Sequence, residues 1–290
     1  MKLRKILALM MAGSLVLGLA GCGNGDENET PKADAGVSDS ENEGSDNDNS
    51  ENTDTDNGSS DVADKVTVED LVDVLLGDVD EDYSYVVNME LEFEYVETYE
   101  GTYKANYESK YKIDNDKSIK YVESSADVVV ELVGFDTQVN ESESKYYEVE
   151  LEDGSEQKIQ WNAENEKWVS GVSADEDSSE EDREELIDNA KMTEEDGKYI
   201  LTINCSSKDM GLDMTSIILG NDADKTVECG VDIVASIDKD SMKLTSMEVD
   251  FDVDDINESL TDMIMRCTKF TMLNDDIQYK DIELALPDGF

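Results

Sequence analysis

From residue 83 to 95 the chain alternates. Tyr83, Tyr85, Val87, Met89, Leu91, Phe93 and Tyr95 are separated by mostly polar residues, among them Asn88, Glu90, Glu92 and Glu94. A period of two predicts a strand with one apolar and one acidic face. The next run repeats the pattern, with Tyr103, Ala105, Tyr107, Tyr111 and Ile113 against Lys104, Asn106, Glu108, Lys110 and Lys112. Asp114-Asn115-Asp116-Lys117 then reads as a hairpin turn. Further strands are expected over 118–132, 144–151, 156–162 and 166–170, with Asp153-Gly154 as a turn. A second series begins at Tyr199-Ile200-Leu201-Thr202-Ile203-Asn204-Cys205 and continues over 227–237, 244–253 and 263–273. In its third strand Met247, Val249, Phe251 and Val253 alternate with Glu248, Asp250, Asp252 and Asp254.

Three segments carry a helical period instead. Val68, Leu71, Val72 and Leu75 lie at i, i+3, i+4 and i+7 behind Thr67, which can cap them, and Gly77 ends the run. Ser178–Ala190 reads as a short acidic helix capped by Ser179. Lys208–Leu219 reads as a helix with Met210, Met214, Ile217 and Ile218 on one side, stopped by Gly220.

Connections are short and hairpin-like, which predicts an antiparallel sheet with one solvated face. Neither of the two prolines interrupts a strand. About ten strands make a sheet that curls, and the apolar face needs the amphipathic helices as cover. The expected fold class is α+β, dominated by one large curved antiparallel sheet.

Residues ahead of this pattern have another character. Lys2, Arg4 and Lys5 precede an apolar run from Ile6 to Leu19, which ends in Leu19-Ala20-Gly21-Cys22. As a helix the apolar run spans about 21 Å, short of the roughly 30 Å hydrocarbon core, so a cleaved signal fits it better than a membrane span. Residues 23–64 hold 14 acidic residues against Lys32 alone, with no Leu, Ile, Met or aromatic, the composition of a disordered tether. An EF-hand fails there: counting from Asp46 or Asp54, the sixth position is Glu51 or Ser59 where glycine is required.

The division is thus a signal over 1–21, a modified Cys22 with an acidic linker over 22–64, and a domain over 65–290. The domain carries 60 acidic and 19 basic residues, which excludes nucleic acid and bare anionic lipid surfaces as natural partners. Histidine is absent, which removes the commonest general base and metal ligand. Serines lack a Gly-x-Ser-x-Gly setting. No enzyme activity, cofactor or metal is expected. Cys205, Cys229 and Cys267 are scattered singly, so buried free thiols are expected, with a Cys205–Cys229 disulfide as the alternative.

The segment Leu19-Ala20-Gly21-Cys22 resembles the lipobox of bacterial lipoproteins. That resemblance implies cleavage between Gly21 and Cys22, a diacylglyceryl group on Cys22, and a location on the outer face of the cell membrane. The order of elements over 65–290 resembles the LolA-like and LprG-like lipoproteins. The local echo is the strand–turn–strand from Ser236 to Met247, through Asp238-Lys239-Asp240-Ser241, with the closing Leu286-Pro287. The likeness implies a half-barrel whose concave side holds acyl chains. The stripe Met89, Phe93, Tyr103, Tyr107, Tyr111, Met247 and Phe251 is the candidate cavity lining, since Met adapts to varied ligands and Tyr joins an apolar body to a polar tip. The same residues could instead pack as core beneath the helices. The non-enzymatic alternative is therefore a surface interaction or structural module with a solid interior. Trp161 and Trp168, flanking a polar loop, are expected as core or rim anchors.

Overall fold

A computed structural model describes residues 65–77, 79–96, 100–151, 155–172, 183–210, 212, 214–219, 226–260 and 264–290. The lipobox, the linker and the Ser179 cap lie outside them.

The domain opens with helix α1 (Val68–Leu76), fixed by a reciprocal cap. Thr67 Oγ1 accepts the Asp70 N–H at 3.2 Å, and the Asp70 carboxylate accepts the Thr67 N–H at 2.7 Å. Leu71, Val72 and Leu75 are buried. The helix stops where Gly77 turns back to donate to the Asp73 carbonyl at 2.7 Å. A Cβ at Gly77 would sit 2.6 Å from that oxygen, so the close approach requires glycine.

Eleven strands follow: β1 (Tyr83–Tyr95), β2 (Gly101–Asp114), β3 (Ile119–Leu132), β4 (Gln138–Glu150), β5 (Glu156–Asn162), β6 (Lys167–Val172), β7 (Ala190–Glu195), β8 (Lys198–Ser206), β9 (Gly230–Asp238), β10 (Lys243–Phe251) and β11 (Met265–Tyr279). They form one antiparallel half-barrel sheet in the order β6-β5-β4-β3-β2-β1-β11-β10-β9-β8-β7. The first and last strands are therefore neighbours at its centre. One meander runs outward from β1 to β6 and the other inward from β7 to β11, and the two are joined where β1 pairs β11 from Tyr83↔Tyr279 to Tyr95↔Met265. Burial alternates along β1 as the period-two pattern requires. The apolar face is closed by α1 with α2 (Arg183–Asp188), α3 (Met214–Leu219) and α4 (Val253–Ser259). Leu186, Met214, Ile217 and Ile256 join the same core as Tyr111, Ile203, Phe270 and Met272.

The structure corrects five boundaries. β4 starts at Gln138 rather than 144, because pairing with β3 recruits the polar, largely exposed stretch 138–143 that carries no apolar period. The acidic helix is confined to 183–188 within the described residues, and Ala190 opens the polar edge strand β7 instead. The helix expected over 208–219 holds only from Met214, since Ser207–Met210 is a turn. Val253 begins α4 rather than ending a strand: Asp252 caps the helix by accepting from the Asp254 and Asp255 amides at 2.9 and 3.3 Å. β11 runs six residues past 273, through Asn274-Asp275-Asp276, which by composition reads as a turn. It does so by a bulge: Ser84 faces Gln278 but Val86 faces Asp275, and Asp276 takes φ 51°.

Opposite the core face, Trp161 pairs Trp168 across β5–β6 with ring centroids 5.4 Å apart, and Tyr147 meets Trp168 at 5.2 Å. The tryptophans are half-buried rim anchors, with Lys145 Nζ 4.6 Å from the Trp161 ring.

Candidate functional site

The seven stripe residues all lie on the face covered by the helices. Met89 stands between Tyr107 on β2 and Met272 on β11, and Phe93 between Tyr103 and Cys267. Tyr85 stacks on Tyr111 at 4.5 Å and Phe251 on Phe270 at 4.2 Å. β11 separates the five residues of β1 and β2 from Met247 and Phe251 on β10. Six of the seven are buried, and Tyr103 is partly buried against the same core. All seven belong to one packed core, and Phe251 also lines a cavity.

That cavity is an open cleft of about 350 Å³ at one end of β8–β10, lined by Asn204, Cys205, Val231, Asp232, Asp250, Phe251 and Asp252, with Gly230 at its base. Asp232 faces Asp250 across β9–β10, a like-charge pair, and Asn204 donates to Asp232 from the other side. Among the described residues no three His, Cys, Asp or Glu side chains converge to hold a metal ion.

The second cavity lies beneath α1. It is about 30 Å³ and is lined by Val74, Gly77, Val79, Tyr83, Tyr85, Leu244, Asn274, Ile277 and Tyr279. The Tyr279 hydroxyl donates to the Leu244 carbonyl at 3.1 Å. Tyr85 Oη and Asn274 Oδ1 are buried and have no hydrogen-bond partner. Burial drives the Tyr85 hydroxyl well above its ordinary pKa, and the neighbouring Tyr111 adds to it, so this phenol stays protonated and able to donate. Asn274 is the residue missed from the sequence. It continues the inward series Phe270, Met272, Asn274, and the signal was an amide standing where the strand's period calls for an apolar side chain.

Cys205, Cys229 and Cys267 are free thiols. The Cys205–Cys229 disulfide is not formed, for a reason of register. Cys205 faces Val231, while Cys229 pairs with Ser207: the Ser207 N–H donates to the Cys229 carbonyl at 2.8 Å and the Cys229 N–H to Ser207 Oγ at 3.2 Å. Burial pushes the Cys205 thiol up to about 12, reinforced by Asp209 and Asp232, and pushes Cys229 and Cys267 up to about 11. A thiol held that high is almost wholly un-ionised at pH 8 and is a poor nucleophile. The full chain with Cys22→Ser is therefore expected to show no fast-reacting thiol toward a disulfide reagent at pH 8, and three after denaturation. Cys205 is half-buried at the cleft and Cys229 and Cys267 are buried, so a rapid native reaction would show that their surroundings do not hold the thiols un-ionised.

No family model and no curated protein matches the chain. Among solved structures, it is similar to a DUF1329 family protein from Desulfovibrio piger, at 12% identity and a TM-score of 0.25 over 75% of this chain and 93% of that one. Among the described residues no helix is long and apolar enough to cross a membrane.

Proposed function

We propose that this protein is a membrane-anchored lipoprotein of the extracytoplasmic face, LolA-like or LprG-like in kind, whose half-barrel binds a lipid or another apolar ligand. The observation that carries the reading is a continuous apolar sheet face with thin cover. Within the described residues the covering helices are short, the longest being the nine residues of α1. Apolar area on such a face gains roughly 25 cal/mol per Å² whether a helix or a ligand covers it, so exchange between the two costs little. The anchor is Cys22 behind Leu19, Ala20 and Gly21, where two acyl chains give stable attachment that one alone does not. The acidic linker holds the domain off the bilayer. Recognition of the ligand, rather than catalysis, is the proposed activity.

Two measurements test this. Cys22→Ser should release the protein from membranes or leave its signal uncleaved, and unchanged retention of a fully processed form would sink the anchor. Native mass spectrometry of protein purified from its host should find a co-purifying apolar adduct. A second reading, a cell-surface interaction module with a solid core, is favoured by the tight burial of Met89, Tyr107, Tyr111 and Met247. A bare mass from host-purified protein would decide for it.

A further inference from the structure

We infer that the cavity beneath α1 is a recognition site for a neutral hydroxyl at the end of an apolar chain, held between the Tyr85 hydroxyl and the Asn274 side-chain amide. This deepens the proposed reading by naming the site and the polar chemistry of its ligand.

The starting point is a pair of unmet hydrogen-bonding groups. Tyr85 and Asn274 are each 3% exposed, and both line the same cavity. Tyr85 Oη and Asn274 Oδ1 lack partners there, while Tyr279 on the same wall has its own. A buried polar atom left unpaired has given up its hydrogen bonds to water without replacement, so two on residues that line one cavity constitute an unfilled demand. The third such atom among the described residues, Thr102 Oγ1, lines neither cavity.

The chemistry of the pair selects the ligand. The protonated Tyr85 phenol can donate, and the Asn274 carbonyl can accept. One hydroxyl completes both by accepting from Tyr85 and donating to Asn274, and it suits the amide in either orientation. A carboxylate brings no proton for the Asn274 carbonyl and would bury a negative charge in a wall without a cation. An ammonium would be equally unpaired, because no carboxylate lines the cavity. The remaining lining, Val74, Val79, Leu244 and Ile277, is apolar and suits the first methylenes of a chain.

The volume sets the geometry of entry. About 30 Å³ admits a hydroxyl with little more, which is also the size of one water. A longer chain therefore occupies space where the last turn of α1 now packs, displacing Val74 and Gly77 from the mouth. The β11 bulge at Asp276 lies on the opposite lip, between Asn274 and Ile277. It adds the extra residue that lets both of these face inward.

The test uses the full chain carrying Cys22→Ser, titrated calorimetrically with 1-octanol, octanoate and glycerol. 1-Octanol should bind at least about tenfold more tightly than octanoate, and glycerol, which has hydroxyls but no chain, should not bind measurably. Tyr85→Phe keeps the ring on Tyr111 and removes only the hydroxyl, so it should weaken 1-octanol about tenfold while preserving the fold. Asn274→Leu should do the same from the other side. Equal binding of 1-octanol and octanoate, or 1-octanol affinity unchanged in Tyr85→Phe, overturns the site. No binding of 1-octanol to the parent chain overturns it as well and leaves the cavity to a single resident water. The broader reading fails separately. A host-derived lipid adduct retained in full by Tyr85→Phe refutes this site but not apolar-ligand binding, whereas 1-octanol binding without any host adduct refutes a lipid cargo but not the site.

Discussion

Phe270→Ala is expected to lower the unfolding free energy by about 3–5 kcal/mol, the range for removing a large buried aromatic and leaving part of its volume empty. Phe270 is 1% exposed and sits on β11, facing Leu91 of β1. It stacks on Phe251 of β10 with a 4.2 Å centroid separation. One side chain thus bridges β1, which opens the first meander, and β10 of the second. Backbone pairing on both sides of β11 restricts collapse into the void, which places the cost toward the upper part of that range. Urea unfolding followed by circular dichroism measures it. Phe135→Ala is the control, because Phe135 is 66% exposed and should change stability by no more than about 0.5 kcal/mol. Comparable losses in the two variants would mean that Phe270 does not occupy the centre of the core.

Asp114→Ala should cost about 2–3 kcal/mol, as expected when a buried charged acceptor leaves its donors unpaired. Asp114 is 2% exposed. Its carboxylate accepts the Leu284 amide at 2.9 Å, the Lys117 amide at 3.1 Å and Lys117 Nζ at 3.1 Å. Asp82 acts beside it, accepting from the Asn115 and Ile282 amides at 2.8 Å each. Together the two aspartates clasp the tail after β11 to the β2–β3 turn. The Leu284 amide, ahead of the Lys117 contacts, holds the Asp114 carboxyl below the usual carboxylate range. A depressed folded-state pKa contributes stability that is complete above the unfolded value, about 3.9, and is lost as pH falls through the folded value. The difference between parent and variant should therefore be constant above about pH 5 and shrink below about pH 4. Taking the difference cancels the general relief of acidic self-repulsion that acid brings to both proteins. A gap that stayed constant down to pH 2 would show that ionisation of Asp114 is not what holds the tail.

The strands were legible where one face is buried and the other wet. β1, β2 and β10 follow from alternation alone, because each apolar side chain had a polar neighbour to mark the face. β7 and the first half of β4 were not legible, since they are ordered by a neighbour's ladder rather than by their own burial. The same limit hid the end of β11. Asn274-Asp275-Asp276 has turn composition, but pairing with β1 on one side and β10 on the other carries the strand through it. Placement of β1 beside β11 follows from no local pattern, because it joins positions 170 or more residues apart, from Tyr95↔Met265 to Tyr83↔Tyr279. The candidate site shared that fate. The apolar stripe was found by period, yet its residues fill their own face, and the two atoms left wanting sit where β1 meets β11.

The same placement has a mechanical meaning. Antiparallel hydrogen bonds run perpendicular to the strands, so tension along a strand loads every bond of a ladder at once, whereas tension across it opens them one at a time. Tyr83 and Tyr279 lie side by side, and the hairpin between β3 and β4 lies at the far end of the sheet. Pulled apart by its two chain ends, the sheet would unzip from its centre. Pulled between its N-terminal end and the β3–β4 hairpin, it would be sheared along the β1–β2 and β2–β3 ladders. The domain is therefore strong along the line from Tyr83 to the β3–β4 hairpin and weak across Tyr83 and Tyr279.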